Sequence, residues 1–234
     1  MLTIQIMNNA KKVLIIGGTG DIGKSITSKY DEEKTVSVGA VHINLLSLKS
    51  IDDFFSSYEK EYFEIFIFAS AINSPSAIAA TQFSDYEETL QINCNCLQYI
   101  FSRNYKCLRK LKSFVAIGSL YSDFARKDRS SYTMSKHALY GFVKSLAIEG
   151  AEKKLTANLV SPGFIDTKLT NKNNSEEKLK KISAMIPLKE LGKSEDIAHA
   201  VYFLTADESK YISGINLIVD GGFSAGGFQG HLDE

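Results

Sequence analysis

The amino-acid sequence predicts an α/β fold in which a doubly wound parallel sheet lies between two layers of helices. Two observations lead to this fold class. Short apolar runs recur along the chain, and segments with helical spacing separate most of them. The 234 residues are 44% hydrophobic and 23% charged, which provides enough apolar material for a well-buried core. The chain has no repeat or Pro/Gly-rich linker, so we expect one domain over residues 1–234, with a lead at 1–10 and a tail at 223–234.

The predicted strands are short and almost wholly apolar, as expected of parallel strands buried on both faces. They are Lys12–Ile16, Thr35–Val38, Glu64–Phe68, Ser113–Ile117, Thr156–Val160 and Ile215–Val219. Helical spacing predicts helices that begin near Ile22 and cover Leu48–Tyr62, Phe83–Arg109, Tyr132–Lys153 and Ser194–Thr205. The polar stretch Asn171–Lys181 is expected to be a solvated, irregular excursion.

One part of the chain is too short for the full alternation. A crossover between adjacent parallel strands needs about a dozen residues or more. The stretch from Thr35 to Leu48 therefore holds one strand but no further helix and strand. We expect a sheet that is shortened by about one βα unit around residues 35–48.

Charge and cysteine content exclude several function classes. The chain has 27 basic and 27 acidic residues, so no overall field attracts nucleic acid or an anionic membrane, and neither is expected as a partner. Three cysteines, an odd number, and the absence of a visible secretory signal favour free thiols and a cytoplasmic location. Cys94-x-Cys96 lacks the spacing and the co-ligands of a zinc site, so no metal is predicted.

A glycine-rich turn joins the first strand to the first helix. It can be read as Gly18-x-Gly20-x-x-Gly23 or as Gly17-x-x-Gly20-x-x-Gly23. Glycines at such a turn let the backbone bend tightly and let a pyrophosphate approach the main chain, which predicts a dinucleotide site. The acidic residue or arginine that would follow about 20 residues later is missing, so the choice between NAD and NADP stays open.

Three polar side chains form a candidate acid–base group. Tyr132 and Lys136 are four residues apart at a helix start, which places the phenol and the ammonium on one face. A neighbouring cation is expected to lower the pKa of the phenol and make it a usable proton donor and acceptor. Ser119 follows the strand Ser113–Ile117, so its hydroxyl is expected at the carboxyl edge of the sheet, where such folds bind ligands.

These residues resemble the short-chain dehydrogenase/reductase superfamily, and the resemblance extends from Val13 to Gly222. Ser119, Tyr132 and Lys136 match the family's catalytic serine, tyrosine and lysine at its standard spacing, and Asn93 matches the asparagine that completes its tetrad. The resemblance implies an NAD(P)-binding, Rossmann-type domain.

Later segments agree with this resemblance. Ser161–Thr167 is similar to the family's Pro-Gly turn beside the nicotinamide, and Ile186–Gly192, Glu195–Ala198 and Ile218–Gly222 are similar to its C-terminal signatures. NAD(P) is therefore the implied cofactor. The residues implied to bind it are Gly17, Gly18, Thr19, Gly20, Asp21, Ile22, Gly23, Asn44, Leu45, Ala69, Ser70, Ala71, Tyr132, Lys136, Pro162, Gly163, Ile165 and Thr167.

Three positions depart from the family pattern. Asp21 replaces the middle glycine of the standard turn, so that the turn takes the Gly-x-x-Gly-x-x-Gly form. The segment Phe68–Ala71 replaces Asn-Asn-Ala-Gly and is expected to put an aromatic ring beside the cofactor. Asn44-Leu45 replaces an Asp-Val pair at the adenine.

The resemblance implies an oxidoreductase that interconverts a carbonyl and a secondary alcohol by hydride transfer. Tyr132 would be the general acid and base, and Lys136 would lower its pKa and bind the ribose hydroxyls. Ser119 would hold the substrate oxygen, and Asn93 would hold a water in a proton relay that ends at Lys136.

The substrate side is less constrained by the sequence. Two of the four arginines, Arg126 and Arg129, precede Tyr132, which indicates an anionic substrate such as a sugar, a nucleotide sugar or a carrier-linked acyl group. Together with Ser119 and Tyr121 they are the candidate substrate residues. A solvated loop, balanced by nearby acidic residues, is the alternative explanation of these arginines.

Two alternative functions remain open. The first is a dinucleotide-binding sensor or scaffold without turnover. The second is a 3-oxoacyl-carrier-protein reductase, which would dock its carrier on the basic residues Arg103, Lys106, Arg109, Lys110 and Lys112. The family resemblance also suggests a homodimer or homotetramer that acts on a small-molecule substrate.

Overall fold

A computed structural model describes residues 11–172 and 174–226. The lead at 1–10 and residues 227–234 of the predicted tail lie outside these residues. The structure contains a six-stranded sheet in which every neighbouring pair is parallel, in the order β2-β1-β3-β4-β5-β6. The strands are β1 (Val13–Ile16), β2 (Thr35–Val38), β3 (Ile65–Phe68), β4 (Ser113–Ile117), β5 (Thr156–Pro162) and β6 (Asn216–Val219).

Helices cover both faces of the sheet. They are α1 (Asp21–Thr27), α2 (Leu48–Ser57), α3 (Phe83–Leu90), α4 (Cys96–Ser102), α5 (Ser130–Glu149), α6 (Lys168–Lys172), α7 (Glu176–Met185) and α8 (Ser194–Thr205). Successive strand residues point to opposite faces, so Phe66 packs in a core with α2, α4 and α5, whereas Ile67 packs in a second core with α1 and α8. The predicted three-layer, doubly wound fold class is confirmed.

The predicted deficit is also confirmed. Only β2 lies outside β1 on that edge, where the usual doubly wound order has two strands. The chain from Gly39 to Ser47 forms turns instead of a crossover helix. The end of β2 supports the glycine-rich turn directly, because the amides of Gly17 and Gly18 both donate to the Val38 carbonyl at 2.8 and 2.9 Å.

The predicted helix Phe83–Arg109 is interrupted and shorter. A π-helical segment, Gln91–Asn95, separates α3 from α4. The helix ends at Ser102, and Asn104 adopts a left-handed conformation with φ of 50°, which stops the helix as a C-terminal cap. The π segment turns the Asn93 side chain into the protein interior, where it forms hydrogen bonds with Ile72 and Ser135.

Three other predicted boundaries or elements differ. The predicted helix Leu48–Tyr62 ends at Ser57, because Tyr58 to Glu61 form turns that lead into β3. The predicted helix Tyr132–Lys153 begins at Ser130 and ends at Glu149. The prediction that Asn171–Lys181 is irregular is wrong, since most of it lies in α6 and α7. Ser175 caps α7, and Lys181 pairs with Glu177 at 2.8 Å along an exposed face.

Candidate active site

A cleft of about 390 Å³ opens at the carboxyl ends of the central strands, beside the point where the chain order reverses between β1 and β3. The predicted cofactor residues that line it are Thr19, Gly20, Asp21, Ile22, Gly23, Ala69, Ala71, Tyr132, Lys136, Pro162, Gly163, Ile165 and Thr167. The cleft also takes in Ile117, Gly118, Lys168, Leu169 and Thr170, which the sequence analysis did not single out. The structure thus brings the glycine-rich turn and the acid–base residues to one site.

The glycine-rich turn has the shape that a dinucleotide phosphate needs. Gly17 has a φ of 91°, and a Cβ there would overlap the Ala69–Ser70 peptide. A Cβ on Gly23 would overlap the Gly17 carbonyl oxygen, so only glycine lets α1 pack this close to the turn. No side chain caps the first turn of α1, which leaves backbone amides facing the cleft for phosphate oxygens. These residues fit a dinucleotide.

Asp21 links this turn to the opposite wall of the cleft. Its Oδ2 accepts a hydrogen bond from the backbone amide of Lys168 at 2.7 Å. The carboxylate therefore holds the start of α6 against the first turn of α1. The departure from glycine at this position adds a contact across the mouth of the cleft.

Five of the predicted cofactor residues do not line the cleft. Gly17 and Gly18 lie beneath the turn, and Ser70 packs against Gly17. Asn44 accepts a hydrogen bond from the Leu46 amide at 3.0 Å, and Leu45 belongs to the hydrophobic core.

The expectation that Phe68 stands beside the cofactor is wrong. Its side chain is fully buried in the core shared with α2, α4 and α5. Strand alternation explains this placement, since Phe68, the last residue of β3, points to the face covered by α2, α4 and α5. Of this segment, only Ala69 and Ala71 line the cleft. The aromatic residue consequently leaves the cofactor side of the cleft unobstructed.

Tyr132 lies at the centre of the cleft. The Ser119 side chain lies beside it in the wall of the same cleft and lowers the pKa of its phenol. The Tyr121 ring packs edge-on against the Tyr132 ring, with centroids 5.8 Å apart and planes at 87°. Lys136, one turn along α5, is 1% exposed, and its Nζ lies 5.5 Å from the Tyr132 ring centroid. The predicted Ser119–Tyr132–Lys136 group is therefore assembled.

The electrostatics of this group differ from the expectation. Burial raises the pKa of Tyr132 to about 12, and the neighbouring Ser119 side chain offsets only part of that rise. Burial likewise lowers the pKa of Lys136 to about 8, and its Nζ donates to the Ile117 carbonyl at 2.7 Å. The pKa of Tyr132 is therefore raised and not lowered as predicted, and the positive charge that opposes the effect of burial comes from Arg129, not from Lys136.

Asn93 is fully buried, and both ends of its side-chain amide form hydrogen bonds within the protein. Its Oδ1 accepts from the Ile72 amide at 2.8 Å, while its Nδ2 donates to the Ile72 carbonyl and to Ser135 Oγ, both at 3.0 Å. These contacts tie the π segment to the loop after β3 and to α5. Asn93 thereby fixes the wall beside Lys136, and its side chain has little left for a relay water.

The substrate candidates line a second cavity of about 120 Å³ that adjoins Tyr132. All four, Ser119, Tyr121, Arg126 and Arg129, contribute to its walls. Burial lowers the pKa of Arg129, and the charge of neighbouring Arg126 lowers it further. The walls also include Asn73, Leu120, Phe164, Leu169, Thr170 and Asn174.

Two further observations concern the described part of the chain. Across residues 11–172 and 174–226, no helix combines the length and apolar character that crossing a membrane requires. Within the same residues, no three His, Cys, Asp or Glu side chains come together as a metal site. All three cysteines are buried and free.

Comparisons with known proteins place the chain in a family. A family model described as enoyl-(acyl carrier protein) reductase matches residues 10–224. The chain is 32% identical over 236 residues to the 3-oxoacyl-(acyl-carrier-protein) reductase FabG of Buchnera aphidicola subsp. Schizaphis graminum, covering 91% of this chain and 96% of that protein. It is 25% identical to the acetoacetyl-CoA reductase of Allochromatium vinosum, covering 91% and 98%.

Solved structures agree in fold. The ligand-free aldohexose dehydrogenase of Thermoplasma acidophilum matches with a TM-score of 0.82 at 25% identity, covering 92% of this chain and 94% of that one. A short chain dehydrogenase family protein of Francisella tularensis matches with a TM-score of 0.82 at 24% identity, covering 92% and 99%. With the glycine-rich turn and the Ser119–Tyr132–Lys136 group in one cleft, the chain belongs to the short-chain dehydrogenase/reductase superfamily and is an NAD(P)-dependent oxidoreductase acting on CH–OH groups.

Proposed function

We propose that Ser119, Tyr132 and Lys136 interconvert a carbonyl and a secondary alcohol on an anionic substrate held by Arg126 and Arg129. The shared position of Ser119 and Tyr132 carries this proposal, because both side chains line the dinucleotide cleft and also the adjoining arginine-lined cavity. A substrate oxygen placed there would meet both hydroxyls at once.

The chain's own residues would handle the proton. When bound, the nicotinamide supplies or accepts the hydride. In reduction, Tyr132 gives its phenolic proton to the substrate oxygen as negative charge develops there, and Ser119 donates a second hydrogen bond to the same oxygen. In oxidation, Tyr132 takes the proton back. The phenol is protonated at neutral pH, because burial raises its pKa further above its ordinary value, so it can donate a proton in reduction.

Lys136 would stabilise the phenolate that Tyr132 becomes. Lys136 lies one turn along α5 from Tyr132, and its buried ammonium donates a hydrogen bond to the Ile117 carbonyl at the end of β4. A proton relay through Asn93 would use the Asn93 main chain, because both ends of the side-chain amide are already bonded.

The predicted cofactor residues outside the cleft have supporting positions in this proposal. Gly17, Gly18 and Ser70 would shape the phosphate turn from below. Asn44 and Leu45 would border the adenine at the shortened edge of the sheet. We further propose that the protein acts in the cytoplasm as a single-domain chain and as a homodimer or homotetramer.

A thioester substrate is the second candidate. The names of two relatives favour it, since one acts on a 3-oxoacyl-carrier-protein and another on acetoacetyl-CoA. The predicted basic docking face stays a prediction, and a carrier bound there would have to deliver its acyl group to Ser119 on an extended arm. Lys112 precedes β4 and Ser119 follows it, so at about 3.3 Å per residue the two are about 23 Å apart at opposite edges of the sheet.

The alternative of a sensor or scaffold without turnover predicts a different site. Such a protein has no need for an acid–base group, yet Ser119, Tyr132 and Lys136 are all present and in contact range. Dinucleotide binding without turnover on any carbonyl would favour it.

The test compares Tyr132→Phe with the wild type in NADH- and NADPH-linked reduction of a carbonyl panel. Removing a positioned general acid lowers turnover by about 10²–10⁴-fold, whereas dinucleotide affinity is expected to change little. Tyr211→Phe is the matched control, because Tyr211 is fully exposed. Unchanged turnover in Tyr132→Phe would refute the assignment.

A further inference from the structure

Arg129 is a buried cation without an acidic partner in ion-pair range. It is 9% exposed and lines the cavity beside Tyr132. Its Nη1 donates to the Asp128 backbone carbonyl at 3.1 Å, and the salt bridges among residues 11–172 and 174–226 do not include it. A guanidinium removed from water needs an anion or several acceptors to offset its desolvation. The cavity that it lines is where such an anion would enter.

Two amide side chains in the walls of the same cavity each have an oxygen that lacks a hydrogen-bond donor. The Oδ1 atoms of Asn73 and Asn174 are buried and have no hydrogen-bond partner. Asn174 uses its Nδ2 to donate to the Thr170 carbonyl at 2.9 Å, which leaves Oδ1 as its free acceptor. Buried amide oxygens are ordinarily satisfied, so both indicate a missing donor. Small rotations of the terminal amides would turn them toward a donor in the cavity.

These three side chains come from separate segments that the fold holds together. Asn73 lies in the loop after β3, Arg129 precedes α5, and Asn174 lies between α6 and α7. The first two segments are joined, because Ser76 forms a bridge with Arg129 and its amide donates to the Asp128 carbonyl at 3.1 Å. The fold therefore holds the segments of Asn73 and Arg129 together, and Asn174 meets them in the walls of the same cavity as Tyr132.

We infer that this cavity is a subsite for a polyhydroxylated anion, whose carboxylate or phosphate pairs with Arg129 and whose hydroxyls donate to Asn73 and Asn174. This inference rests on the proposed function and identifies the substrate class of the same site. A bare acyl chain offers neither a charge for Arg129 nor a hydroxyl donor for the two amides, whereas the phosphopantetheine arm of a thioester carries both, so acetoacetyl-CoA is the competing probe. Sugar acids and sugar phosphates offer both.

The experiment measures ligand binding to the protein saturated with NAD⁺ or NADP⁺, as the shift in unfolding temperature at matched ionic strength. The probes are gluconate and glucose 6-phosphate as hydroxylated anions, sorbitol as a neutral polyol, butyrate as an anion without hydroxyls, and acetoacetyl-CoA as a thioester. We expect gluconate or glucose 6-phosphate to bind more tightly than sorbitol and butyrate. Tighter binding of gluconate would indicate a carboxylate substrate, and tighter binding of glucose 6-phosphate would indicate a phosphate substrate.

Variants separate the charge from the hydroxyl contacts. Arg129→Gln is expected to weaken binding of the hydroxylated anion about tenfold to a hundredfold while leaving sorbitol unchanged, since it removes a charge-assisted hydrogen bond. Arg129→Lys retains the charge and is expected to keep part of the affinity. Asn73→Leu and Asn174→Leu are expected to reduce the preference for gluconate over butyrate. Lys210→Gln, which alters an exposed lysine that lines neither cavity, is the control.

Failures of the two proposals are distinguishable. If neither dinucleotide raises the unfolding temperature, the proposed function fails. If a dinucleotide binds but neither hydroxylated anion binds better than sorbitol and butyrate, the inference is overturned. Equal binding by wild type and Arg129→Gln would also overturn it. Tightest binding by acetoacetyl-CoA, unaffected by Asn73→Leu and Asn174→Leu, would assign the cavity to a thioester instead.

Discussion

Replacing Lys136 by methionine is expected to lower turnover and to change how stability depends on pH. The ammonium is 1% exposed, and burial lowers its pKa from the ordinary 10.5 to about 8. A tenfold change in proton affinity is worth about 1.36 kcal/mol, so keeping this charge inside the fold costs about 3 kcal/mol near pH 7. Lys136→Met removes that cost but also removes the positive charge that would stabilise the Tyr132 phenolate, so turnover falls.

The stability difference depends on pH in a defined direction. Because the pKa is lower in the folded chain, the unfolded chain binds more protons between pH 8 and 10.5, and the wild-type free energy of unfolding rises across that window. Lys136→Met lacks this rise. Its other main effect, the loss of the donor to the Ile117 carbonyl, costs about 1–3 kcal/mol at every pH.

Urea unfolding of both proteins, followed by circular dichroism near pH 7 and near pH 10, checks this reasoning. The free energy of unfolding of Lys136→Met relative to wild type is expected to fall by about 2–3 kcal/mol between the two pH values. Changes in other groups cancel because they occur in both proteins. A difference between the proteins that stays the same at both pH values would refute the assigned burial of a charged Lys136.

Two further variants test the dinucleotide turn. Gly23→Ala is expected to destabilise the fold by about 1–3 kcal/mol and to weaken dinucleotide binding, because the added Cβ overlaps the Gly17 carbonyl; Ser28→Ala, an exposed change at the end of α1, is the control. Wild-type stability in Gly23→Ala would contradict the packing argument. Asp21→Asn keeps an acceptor for the Lys168 amide but removes a negative charge beside the phosphate turn, so fluorescence titration at low salt is expected to show about two- to fivefold tighter dinucleotide binding. Unchanged or weaker binding, or a gain that persists at high salt, would count against this charge effect.

The sheet was predictable because its strands are buried on both faces. A run such as Ile65–Phe68 is continuously apolar and begins directly after Glu64, which leaves little choice of element. The α6–α7 region was mistaken because composition was weighed above local helix signals. Ser175 as a cap and the Glu177–Lys181 spacing were both visible in the sequence.

The interruption at Asn93 could not be predicted from local pattern. It depends on hydrogen bonds to Ile72, which is 21 residues away, and to Ser135 on another helix. The same reason hid Asn73 and Asn174, whose roles depend on where their loops fold over the cleft. Ser119 and Tyr132 were predictable because strand ends in a parallel sheet meet at one edge. The tyrosine pKa was not, because it depends on desolvation that only the folded structure reveals.

Transfer of deuterium from dinucleotide deuterated at nicotinamide C4 tests the central claim most directly. The product alcohol is analysed by mass spectrometry after reaction of the wild type and Tyr132→Phe with a turned-over carbonyl. We predict one deuterium at the carbinol carbon with the wild type, and a loss of transfer in Tyr132→Phe although it still binds the dinucleotide. Transfer at the wild-type rate in Tyr132→Phe, or dinucleotide binding by the wild type with no transfer to any carbonyl, would contradict the account.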